Sequence, residues 1–413
     1  MHRVPNINMN STISTYNKVK KGLLPLSMLY GGVVWIRNKL FDWKILPSEE
    51  FPVPVICVGN ITVGGTGKTP HVEYLIQLLE QKYKIAVLSR GYKRKTSGFI
   101  LADEKATDQT IGDEPLQILK KFPETIVAVD GNRKRGIKNL LNLPDKKPDI
   151  ILLDDAFQHR YVKPSCSILL TDSHRLIYED ALLPAGRLRE SCAGKNRANM
   201  VIVTKCPPDL KPIDYRVISK HLNLFPYQDL FFTSFKYGNL TPCFETGQSN
   251  MKSLADIKTN KCSVLLVAGI ANPQGLISEL KMYTPHLETI IFPDHHTFSK
   301  NDIEKIESKF EQMHHTPRPP KGGVESSELV HSADPKSPLG DIGVIIITTE
   351  KDYIRLSGCE YITQNVKKAL YYLPVKVVFP KNKENLFTQK IYDHVRKFKR
   401  NSEMAQATNS ARH

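Results

Sequence analysis

Short runs of apolar residues recur along the first half of the chain, separated by longer stretches in which apolar and polar positions mix. Six of these runs are rich in β-branched residues, and they lie at 53–60, 84–90, 125–130, 149–155, 166–172 and 200–205. Strands buried on both faces of a parallel sheet have this continuous pattern, because neither face meets water. The runs therefore predict strands in the interior of a layered domain.

The segment between the first two runs has a different period. Within 68–82, apolar residues recur at intervals of three and four, at Val72, Leu75, Ile76 and Leu79. This spacing places them on one face of a helix. Strand, loop, helix and strand in this order form a parallel βαβ unit. The fold class we predict is α/β, with a mainly parallel sheet and helices on both of its faces.

A second series of apolar runs follows a proline-interrupted stretch near 206–240. These runs, at 263–270, 288–294, 344–352 and 375–380, predict a second, smaller α/β domain. Between them, 315–340 is rich in Pro, Gly and Ser, and we interpret it as a flexible surface insertion. The boundaries we expect are 1–45 for an N-terminal segment, 46–228 for the first domain, 229–400 for the second and 401–413 for a disordered tail.

The N-terminal segment contains a stretch without charge, 23–36, flanked on both sides by basic residues. About 20 apolar residues are needed to span a bilayer, so this stretch is too short to cross one. No small-residue cleavage site follows it, which disfavours a secretory signal. Two interpretations remain: a helix lying in the membrane interface with its basic flanks on lipid phosphates, or a helix packed on the domain behind it.

Charge and cysteine content narrow the class of protein only in part. The 413 residues include 58 Lys and Arg against 42 Asp and Glu, a formal net charge of +16. This excess suits contact with nucleic acid, an anionic membrane or a phosphorylated substrate. The seven cysteines are dispersed without a C-x-x-C pair, which is typical of reduced thiols in cytosolic surroundings.

The stretch NITVGGTGKTP, 60–70, lies between the first predicted strand and the first predicted helix. Its glycines let backbone N–H groups converge on phosphate oxygens, Lys68 can reach the β and γ phosphates, and Thr69 can bind Mg²⁺. Thr62 replaces the glycine of the usual P-loop pattern, which is tolerable if the loop opens there without a positive φ. A glycine-rich turn with a chance Gly-Lys-Thr is the alternative. The nucleotide-binding residues we predict are Thr62, Val63, Gly64, Gly65, Thr66, Gly67, Lys68 and Thr69.

A P-loop site also needs an acidic residue at the end of a neighbouring strand to hold the magnesium shell. The run at 149–155 closes on Asp154 and Asp155. Adjacent aspartates at the end of a buried strand are costly unless they bind a cation or cap a helix. We favour a Mg²⁺ site formed by Thr69, Asp154 and Asp155, with capping of the next helix as the alternative.

The absence of a guanine-recognition motif predicts which base the nucleotide carries. Guanine selectivity calls for [NT]-K-x-D after a later strand, and neither VTKCP at 203–207 nor TTEKD at 348–352 has that spacing. ATP with Mg²⁺ is therefore the cofactor that we expect.

Seven motifs follow one another along the chain: VPVICVGNITVGGTGKTP, LSRGYKRK, GDEP, LLDDAFQHR, LLPAGRLRE, FPDHHTFS and TTEKDYIRL. The set resembles the tetraacyldisaccharide 4′-kinases, the lipid A 4′-kinases of Gram-negative bacteria, over residues 22–395 without the insertion. Thr at the first loop position is that family's own version of the P-loop. The resemblance implies transfer of the ATP γ-phosphate to the 4′-hydroxyl of tetraacyldisaccharide 1-phosphate, at the cytoplasmic face of the inner membrane.

The resemblance also implies an acid/base pair, formed by the aspartate of GDEP and the histidine of the D-H motif. Here these are Asp113 and His295, with Asp294 beside them, and Lys68 is the third catalytic residue that we predict. A sugar hydroxyl is a poor nucleophile, so a base held by a charged partner can take its proton during phosphoryl transfer. Alternatives stay open, since Asp113 could only cap a helix and the histidine could be a surface residue. The D-H spacing favours His295 over His296.

Further residues match family positions. The resemblance places Arg189 and Glu190 of PAGRLRE near the nucleotide, where an arginine can offset negative charge on the transferred oxygens. An ordinary surface loop is the alternative for this motif. The residues expected to contact the acceptor substrate are Arg90, Arg133, Gln158, His159 and Asp294.

An acceptor held in a membrane by four acyl chains needs its enzyme at the interface, so the resemblance favours membrane docking of 18–44. We expect a peripheral, monotopic protein that binds a lipid A precursor and an anionic membrane surface, and no nucleic acid. The main alternative is a P-loop switch ATPase acting on a protein partner. A nucleic-acid-binding ATPase would use the positive charge, but the sequence lacks an aromatic and basic recognition module. The oligomeric state stays open.

Overall fold

The computed structural model describes residues 19–244, 253–315, 343–380 and 383–410. The chain divides into two compact units, the first formed by Met1–Lys236 with Lys376–His413 and the second by Tyr237–Val375. Of the insertion expected at 315–340, His315 ends a helix, and the rest lies outside the described residues.

The first unit is built on a sheet of eight strands. They are β1 (Val55–Gly59), β2 (Ile85–Ser89), β3 (Ile100–Leu101), β4 (Ile126–Val129), β5 (Ile150–Asp154), β6 (Cys166–Asp172), β7 (Met200–Thr204) and β8 (Asp229–Phe232). Their order in the sheet is β3-β4-β2-β5-β1-β6-β7-β8. Only β3, at one edge, pairs antiparallel within this sheet. The six strands predicted for this domain are confirmed, and the two missed strands are the edge strands, which lack a continuous buried run.

Helices cover both faces of this sheet. The helices are α1 (Leu24–Asp42), α2 (Lys68–Leu79), α3 (Asp108–Ile111), α4 (Asp113–Lys121), α5 (Arg133–Leu141), α6 (Pro212–Leu222) and the C-terminal helix (Lys383–Ser410). Alternate residues of β1 face two separate cores, because Cys57 packs in a cluster with Ile137 of α5, whereas Ile56 packs in a cluster with Val72 of α2. The predicted α/β class with helices on both faces is confirmed.

The C-terminal helix corrects the domain boundaries expected from the sequence. Its apolar residues Phe387, Ile391 and Val395 are buried in the same core cluster as β1 and α2, so 376–400 belongs to the first unit. The helix continues to Ser410, whereas a disordered tail was expected from 401. The buried apolar residues of this helix recur every four residues, so they form one stripe that packs against the first sheet.

The second unit has its own five-stranded sheet, ordered β10-β14-β13-β11-β12. The strands are β10 (Thr241–Pro242), β11 (Ser263–Ala268), β12 (Leu287–Ile291), β13 (Val344–Thr349) and β14 (Leu370–Leu373). The helices of this unit are α7 (Leu254–Thr259), α8 (Gln274–Leu280), α9 (Lys300–His315), α10 (Glu350–Leu356) and α11 (Gln364–Ala369). The strand predicted at 375–380 does not join this sheet, since β15 (Val375–Val378) pairs with β9 (Ser234–Tyr237).

Helix α1 has two different faces. Ser27 and Phe41 are buried, and Ser27 Oγ donates to the Leu182 carbonyl at 3.0 Å and accepts from the Ala185 N–H at 2.9 Å. The large apolar side chains that it exposes include Leu26, Met28, Leu29, Val33, Trp35 and Ile36. The helix is thus packed on the first unit along one face only. Throughout the described ranges, no helix combines the length and apolarity that crossing a membrane requires.

Candidate active site

The edge of the first sheet at which the parallel strands end carries most of the predicted residues. Strands β1 and β5 are neighbours, and Val58 pairs with Asp154. The loop that follows β1 therefore begins beside the end of β5. Open parallel sheets bind their ligands at this edge.

The phosphate loop runs from Asn60 to Lys68, the first residue of α2. Its positive φ angles fall on Gly64 (115°) and Gly67 (84°), where the missing Cβ permits them. Thr62 is not among the positive-φ residues and forms an isolated antiparallel bridge with Leu188. A threonine fits the first loop position because no left-handed conformation is required there.

Side chains from two strand ends hold this loop. Asn60 Nδ2 donates to Thr66 Oγ1 at 2.8 Å, and Thr204 Oγ1 at the end of β7 donates to the Thr66 carbonyl at 2.9 Å. Lys205 Nζ donates to the Gly65 carbonyl. The loop backbone is thereby tied to its own strand and to β7 before any ligand binds, which is the preorganisation that a phosphate site needs.

His71 is a site residue that sequence reasoning missed. Its Nδ1 lies 2.7 Å from the Gly67 carbonyl and its Nε2 lies 3.0 Å from Thr233 Oγ1. A carbonyl can only accept, so Nδ1 carries the proton and Nε2 accepts from the hydroxyl. Burial lowers the pKa of His71 to about 4, which keeps this neutral tautomer. The ring fixes the last carbonyl of the loop.

Asp154 is the most unusual group at this edge. Both of its carboxylate oxygens are buried and lack a hydrogen-bond partner within the described chain. Burial, together with the negative charges of Glu114 and Asp155, raises the pKa of Asp154 to about 7. No helix follows it, because residues 155–165 form turns, irregular backbone and one isolated β-bridge, so capping does not explain the aspartate. A buried carboxylate without a partner is expected where a cation binds.

Asp155 is held in a different way. It has a positive φ of 47°, and its carboxylate lies 3.6 Å from Lys68 Nζ and 3.3 Å from Arg189 Nη2. Burial would raise the pKa of Asp155, but the charges of Lys68 and Arg189 outweigh burial and hold that pKa below its usual value. The backbone conformation thus aims this ionised carboxylate at the phosphate-loop lysine.

The side chains at this edge suit Mg²⁺ better than a metal ion that is ligated by protein side chains alone. Magnesium is commonly bound by one or two carboxylates together with substrate phosphates and water. Asp154 offers two oxygens without partners. In the part of the chain that the structure describes, no group of three or more His, Cys, Asp or Glu side chains is placed to hold a metal. A Mg²⁺ ion at Asp154 would therefore need further ligands from substrate phosphates and water.

The pKa of Asp154 leads to a stability prediction for metal-free protein. An unfolded aspartate has a pKa of about 3.9, so the folded state holds this proton more tightly, and the group destabilises the fold increasingly as pH rises from about 4 to about 7. Asp154→Asn should therefore raise the melting temperature in EDTA, and by more at pH 8 than at pH 5. Thermal unfolding of both proteins at the two pH values measures this, and an equal difference at both would contradict it.

Arg189 connects the phosphate loop to Asp155. Its guanidinium donates to Asn60 Oδ1 at 2.6 Å, to the Thr62 carbonyl at 3.0 Å and to Gln158 Oε1 at 3.1 Å. The backbone N–H of Arg189 donates to the Ile61 carbonyl at 2.7 Å. An ordinary surface loop would not make these contacts, and the structure brings Arg189 to the base of the phosphate loop.

Glu190 and Gln158 extend this network. Glu190 is buried and lies 2.9 Å from Arg197 Nη2. Gln158 Nε2 donates to Glu190 Oε1 at 3.1 Å and to the Asn60 carbonyl at 2.7 Å. Gln158 thus bonds to both Asn60 and Arg189, and Glu190 orients Gln158. Gln158, which we predicted to contact the acceptor, lies at the phosphate loop.

Arg133 lies deeper than an acceptor-contacting residue would, whereas His159 is half-buried. Arg133 is 2% exposed and donates to the carbonyls of Asp130 at 2.6 Å and Asp154 at 3.2 Å. The Nε2 atom of His159 is buried without a partner in the described chain, and burial, with the charges of Arg133 and neighbouring arginines, lowers the pKa of His159 to about 4. Arg133 therefore supports the strand end that carries Asp154.

Arg90 is exposed and lines a cavity of about 400 Å³. Other residues that line this cavity include Lys93, Arg94, Asp130 and Arg135. Arg135 pairs with the buried Asp130 through two hydrogen bonds of 2.8 Å. Four cationic side chains and one carboxylate line this cavity, and the excess of positive charge favours an anionic ligand.

Asp113 is the first residue of α4, and the N-cap position is Gly112, with a φ of 92°. The buried Asp113 accepts a hydrogen bond from the Glu114 N–H at 3.0 Å. The simple capping alternative therefore does not describe it, because the cap is the preceding glycine. Its role as a proton acceptor stays a prediction.

In the second unit, His295 lies in a charged cluster. It has a positive φ of 58°, its Nε2 lies 3.0 Å from Lys351 Nζ, and its Nδ1 lies 3.4 Å from Arg355 Nη2. Asp294 Oδ2 is 3.9 Å from His295 Nε2. Lys351 and Arg355 come from the TTEKDYIRL motif, which sequence reasoning quoted without assigning these two residues a role.

His296 is held by its surroundings in another way. Its ring stacks on Phe292 with centroids 4.6 Å apart, and its Nε2 lies 3.0 Å from Asp302 Oδ2. These contacts explain His296 as a packing residue that fixes the start of α9. They leave His295 as the better candidate for a chemical role.

Three comparisons with known proteins agree with one another. The family model described as LpxK, tetraacyldisaccharide-1-P 4′-kinase, matches residues 19–317. The chain is 48% identical over 397 residues to the tetraacyldisaccharide 4′-kinase of Bacteroides thetaiotaomicron, covering 95% of this chain and 98% of that protein. It is 50% identical over 386 residues to the enzyme of the same name from Phocaeicola vulgatus, covering 93% and 98%.

A solved structure also resembles about nine-tenths of the chain. It is the crystal structure of the "apo" form of LpxK from Aquifex aeolicus in complex with ATP, with 28% sequence identity and a TM-score of 0.63. The match covers 91% of this chain and 99% of that one. The similarity thus extends through both units and is not confined to the phosphate-loop domain.

Proposed function

The chain belongs to the tetraacyldisaccharide-1-P 4′-kinase family, and from that premise we propose that it phosphorylates the 4′-hydroxyl of tetraacyldisaccharide 1-phosphate with ATP, in lipid A biosynthesis. One observation carries the proposal. Lys68 of the phosphate loop pairs with Asp155 at 3.6 Å, directly after Asp154, whose buried oxygens lack a partner among the described residues. A triphosphate would bind Lys68, and its cation would give the Asp154 oxygens the partner that they lack.

ATP and Mg²⁺ are the cofactors that we propose. Residues 62–69 would bind the phosphates, and Thr69 and Asp154 would hold the metal with Asp155 beside them. When bound, the metal offsets negative charge on the phosphate oxygens. Arg189 holds the start of the loop and Asp155 in fixed positions, since it bonds to Asn60, Thr62 and Asp155.

The chemistry is a direct displacement. The 4′-oxygen forms a bond to the γ-phosphorus while the bond from phosphorus to the β,γ-bridging oxygen breaks, and ADP leaves. The hydroxyl proton passes to the pair of Asp113 and His295, which we assign as acid/base residues. Lys351 and Arg355 next to His295 supply positive charge of the kind that attracts a phosphorylated acceptor.

The experiment that tests this function measures ATP consumption with and without acceptor. A 4′-kinase should release ADP in proportion to added tetraacyldisaccharide 1-phosphate and stop when the acceptor is exhausted. A P-loop switch ATPase acting on a protein partner would hydrolyse ATP at the same rate without the lipid. That outcome would remove the kinase assignment and leave the nucleotide site standing.

We also propose that the protein is peripheral, docked through α1 at the cytoplasmic face of the inner membrane, where its lipid acceptor is embedded. The outer face of α1 supports this, since Met28, Leu29 and Val33 are 79%, 70% and 62% exposed. Lys20 and Lys21, just before the helix, would meet anionic headgroups. No nucleic acid is part of this proposal.

Membrane docking predicts the effect of charges on α1. Leu29→Glu with Val33→Glu should weaken binding to anionic vesicles at least about tenfold, because burying one aliphatic side chain contributes roughly 1.5–3 kcal/mol. Sedimentation with vesicles measures the binding. The matched control is Ile213→Glu with Val217→Glu, an exposed pair at the same spacing on α6. Equal losses in both double variants would mean that α1 is not the docking surface.

A further inference from the structure

The inner face of α1 lies against the nucleotide site of the first unit. Its side chains Tyr30, Val34, Arg37 and Asn38 recur at helical spacing. They line a cavity of about 260 Å³ together with Gln158, Arg189 and Glu190. The residues on the far wall are those that hold the phosphate loop, so the helix and the loop share one polar network.

Three hydrogen bonds connect the helix to this network. Tyr30 Oη donates to the Arg189 carbonyl at 2.8 Å. Asn38 Nδ2 donates to Glu190 Oε2 at 3.3 Å. Arg37 Nη2 donates to the Gln158 carbonyl at 3.0 Å. Each bond ends on a residue that bonds either to the phosphate loop or to another residue that does.

Each residue to which α1 bonds is linked to the phosphate loop by one or two further hydrogen bonds. Arg189 bonds to Asn60 Oδ1 and the Thr62 carbonyl, and Gln158 bonds to the Asn60 carbonyl. Burial raises the pKa of the Tyr30 phenol, so the hydroxyl remains a donor at neutral pH. The Arg189 carbonyl, next in the backbone to Glu190, is therefore held by the helix.

We propose that Tyr30 and Asn38 are positioning residues for ATP binding, which hold Arg189 and Glu190 so that the phosphate loop keeps its ligand-binding shape. The proposal rests on the nucleotide site assigned under the proposed function. It gives α1 a second role beside membrane docking, and it assigns that role to the inner face, whereas the docking residues lie on the outer face.

Other contacts hold α1 on the first unit, so these two residues are not needed to attach it. Ser27 bonds to Leu182 and Ala185, and Arg160 Nη2 bonds to Asp42 at 2.7 Å. A Cβ on Gly31 would come within 2.6 Å of a Leu182 methyl group, so the helix packs closely at that point. Removing the Tyr30 hydroxyl should leave the helix in place.

The test measures the affinity of a fluorescent, non-hydrolysable ATP analogue and the two KM values. Tyr30→Phe should weaken nucleotide binding and raise the KM for ATP about fivefold, the effect of one lost hydrogen bond. The KM for the acceptor and the melting temperature should stay unchanged. Asn38→Asp should have a larger effect on nucleotide binding, because it places a second carboxylate beside Glu190. The control is Tyr361→Phe, an exposed tyrosine of the second unit.

Each outcome decides the proposal. Nucleotide affinity equal to wild type in both variants would overturn it, as would a lowered melting temperature with unchanged affinity, which would mean a structural role alone. A higher KM for the acceptor with an unchanged KM for ATP would also overturn it. Failure of the wild-type protein to bind the analogue would overturn the nucleotide site itself, and would thereby be distinguished from failure of the positioning role.

Discussion

Lys68→Ala should lower kcat/KM for phosphorylation of the acceptor by about a hundredfold to a thousandfold, the loss seen when one preorganised charge-stabilising donor is removed. Lys68 opens α2 and lies 3.6 Å from Asp155 Oδ2. In the reaction its ammonium would offset charge on the β and γ phosphates. Because this charge builds up in the transition state, the loss should appear in kcat as well as in the KM for ATP.

The fold should tolerate this change. Asp155 keeps Arg189 as a partner at 3.3 Å after Lys68 is removed, so no ionised carboxylate is left alone. Lys390→Ala is the matched control, since it removes a lysine 2.9 Å from Asp229 elsewhere in the same unit. The control should retain wild-type kinetics. Activity of Lys68→Ala within about threefold of wild type would contradict a phosphate-loop mechanism, because a lost charge-stabilising donor costs far more.

His295→Ala should lower kcat by about a hundredfold to ten-thousandfold, the range for loss of a general acid/base. His296→Ala is the neighbouring control. It removes the stacking on Phe292 and the contact with Asp302, so it should lower the melting temperature and leave kcat of the folded enzyme near wild type. Steady-state kinetics with saturating ATP and acceptor distinguish the two histidines.

Asp113→Asn extends this prediction to the other proposed member of the pair. It should lower kcat as far as His295→Ala, and the double variant should be little worse than either single one, because residues that act as a unit are not additive. Additive losses would mean that Asp113 and His295 act independently. A normal kcat in His295→Ala together with a low one in His296→Ala would reverse the assignment.

Much of the first unit could be predicted because its signals are local. A continuous apolar run identifies a strand buried on both faces, and β1, β2, β4, β5, β6 and β7 were found in this way. The loop residues Gly64 and Gly67 do have the positive φ angles for which glycine is suited. The family resemblance, carried by motifs in order, agrees with the matches to relatives over more than nine-tenths of the chain.

The parts that sequence reasoning missed depend on contacts distant in the chain. The spacing of Phe387, Ile391 and Val395 predicts an apolar helical stripe, but it does not tell which sheet the stripe covers. Arg133 was expected to contact the acceptor, yet it is buried and bonds to the carbonyl of Asp154. His71 lies in the first turn of α2, and its role depends on a hydrogen bond to Thr233, which is far away in sequence.

In the candidate site too, some features could be predicted from the local sequence and others depend on distant contacts. Adjacent aspartates after a strand predict a cation site, but the different states of Asp154 and Asp155 depend on the backbone turn at Asp155 and on Arg189. Likewise, the D-H motif identifies His295, whereas its contacts with Lys351 and Arg355 require β13 and α10 to be placed beside it. Spatial neighbours of this kind carry no local signal.

The 4′-kinase activity is measured as transfer of labelled γ-phosphate from ATP to purified tetraacyldisaccharide 1-phosphate in detergent, followed by location of the label on the lipid. We expect one labelled product that carries the new phosphate at the 4′ position, formed about a hundredfold to a thousandfold more slowly with Lys68→Ala. Release of labelled inorganic phosphate without labelled lipid, or a phosphate at another position, would contradict this expectation.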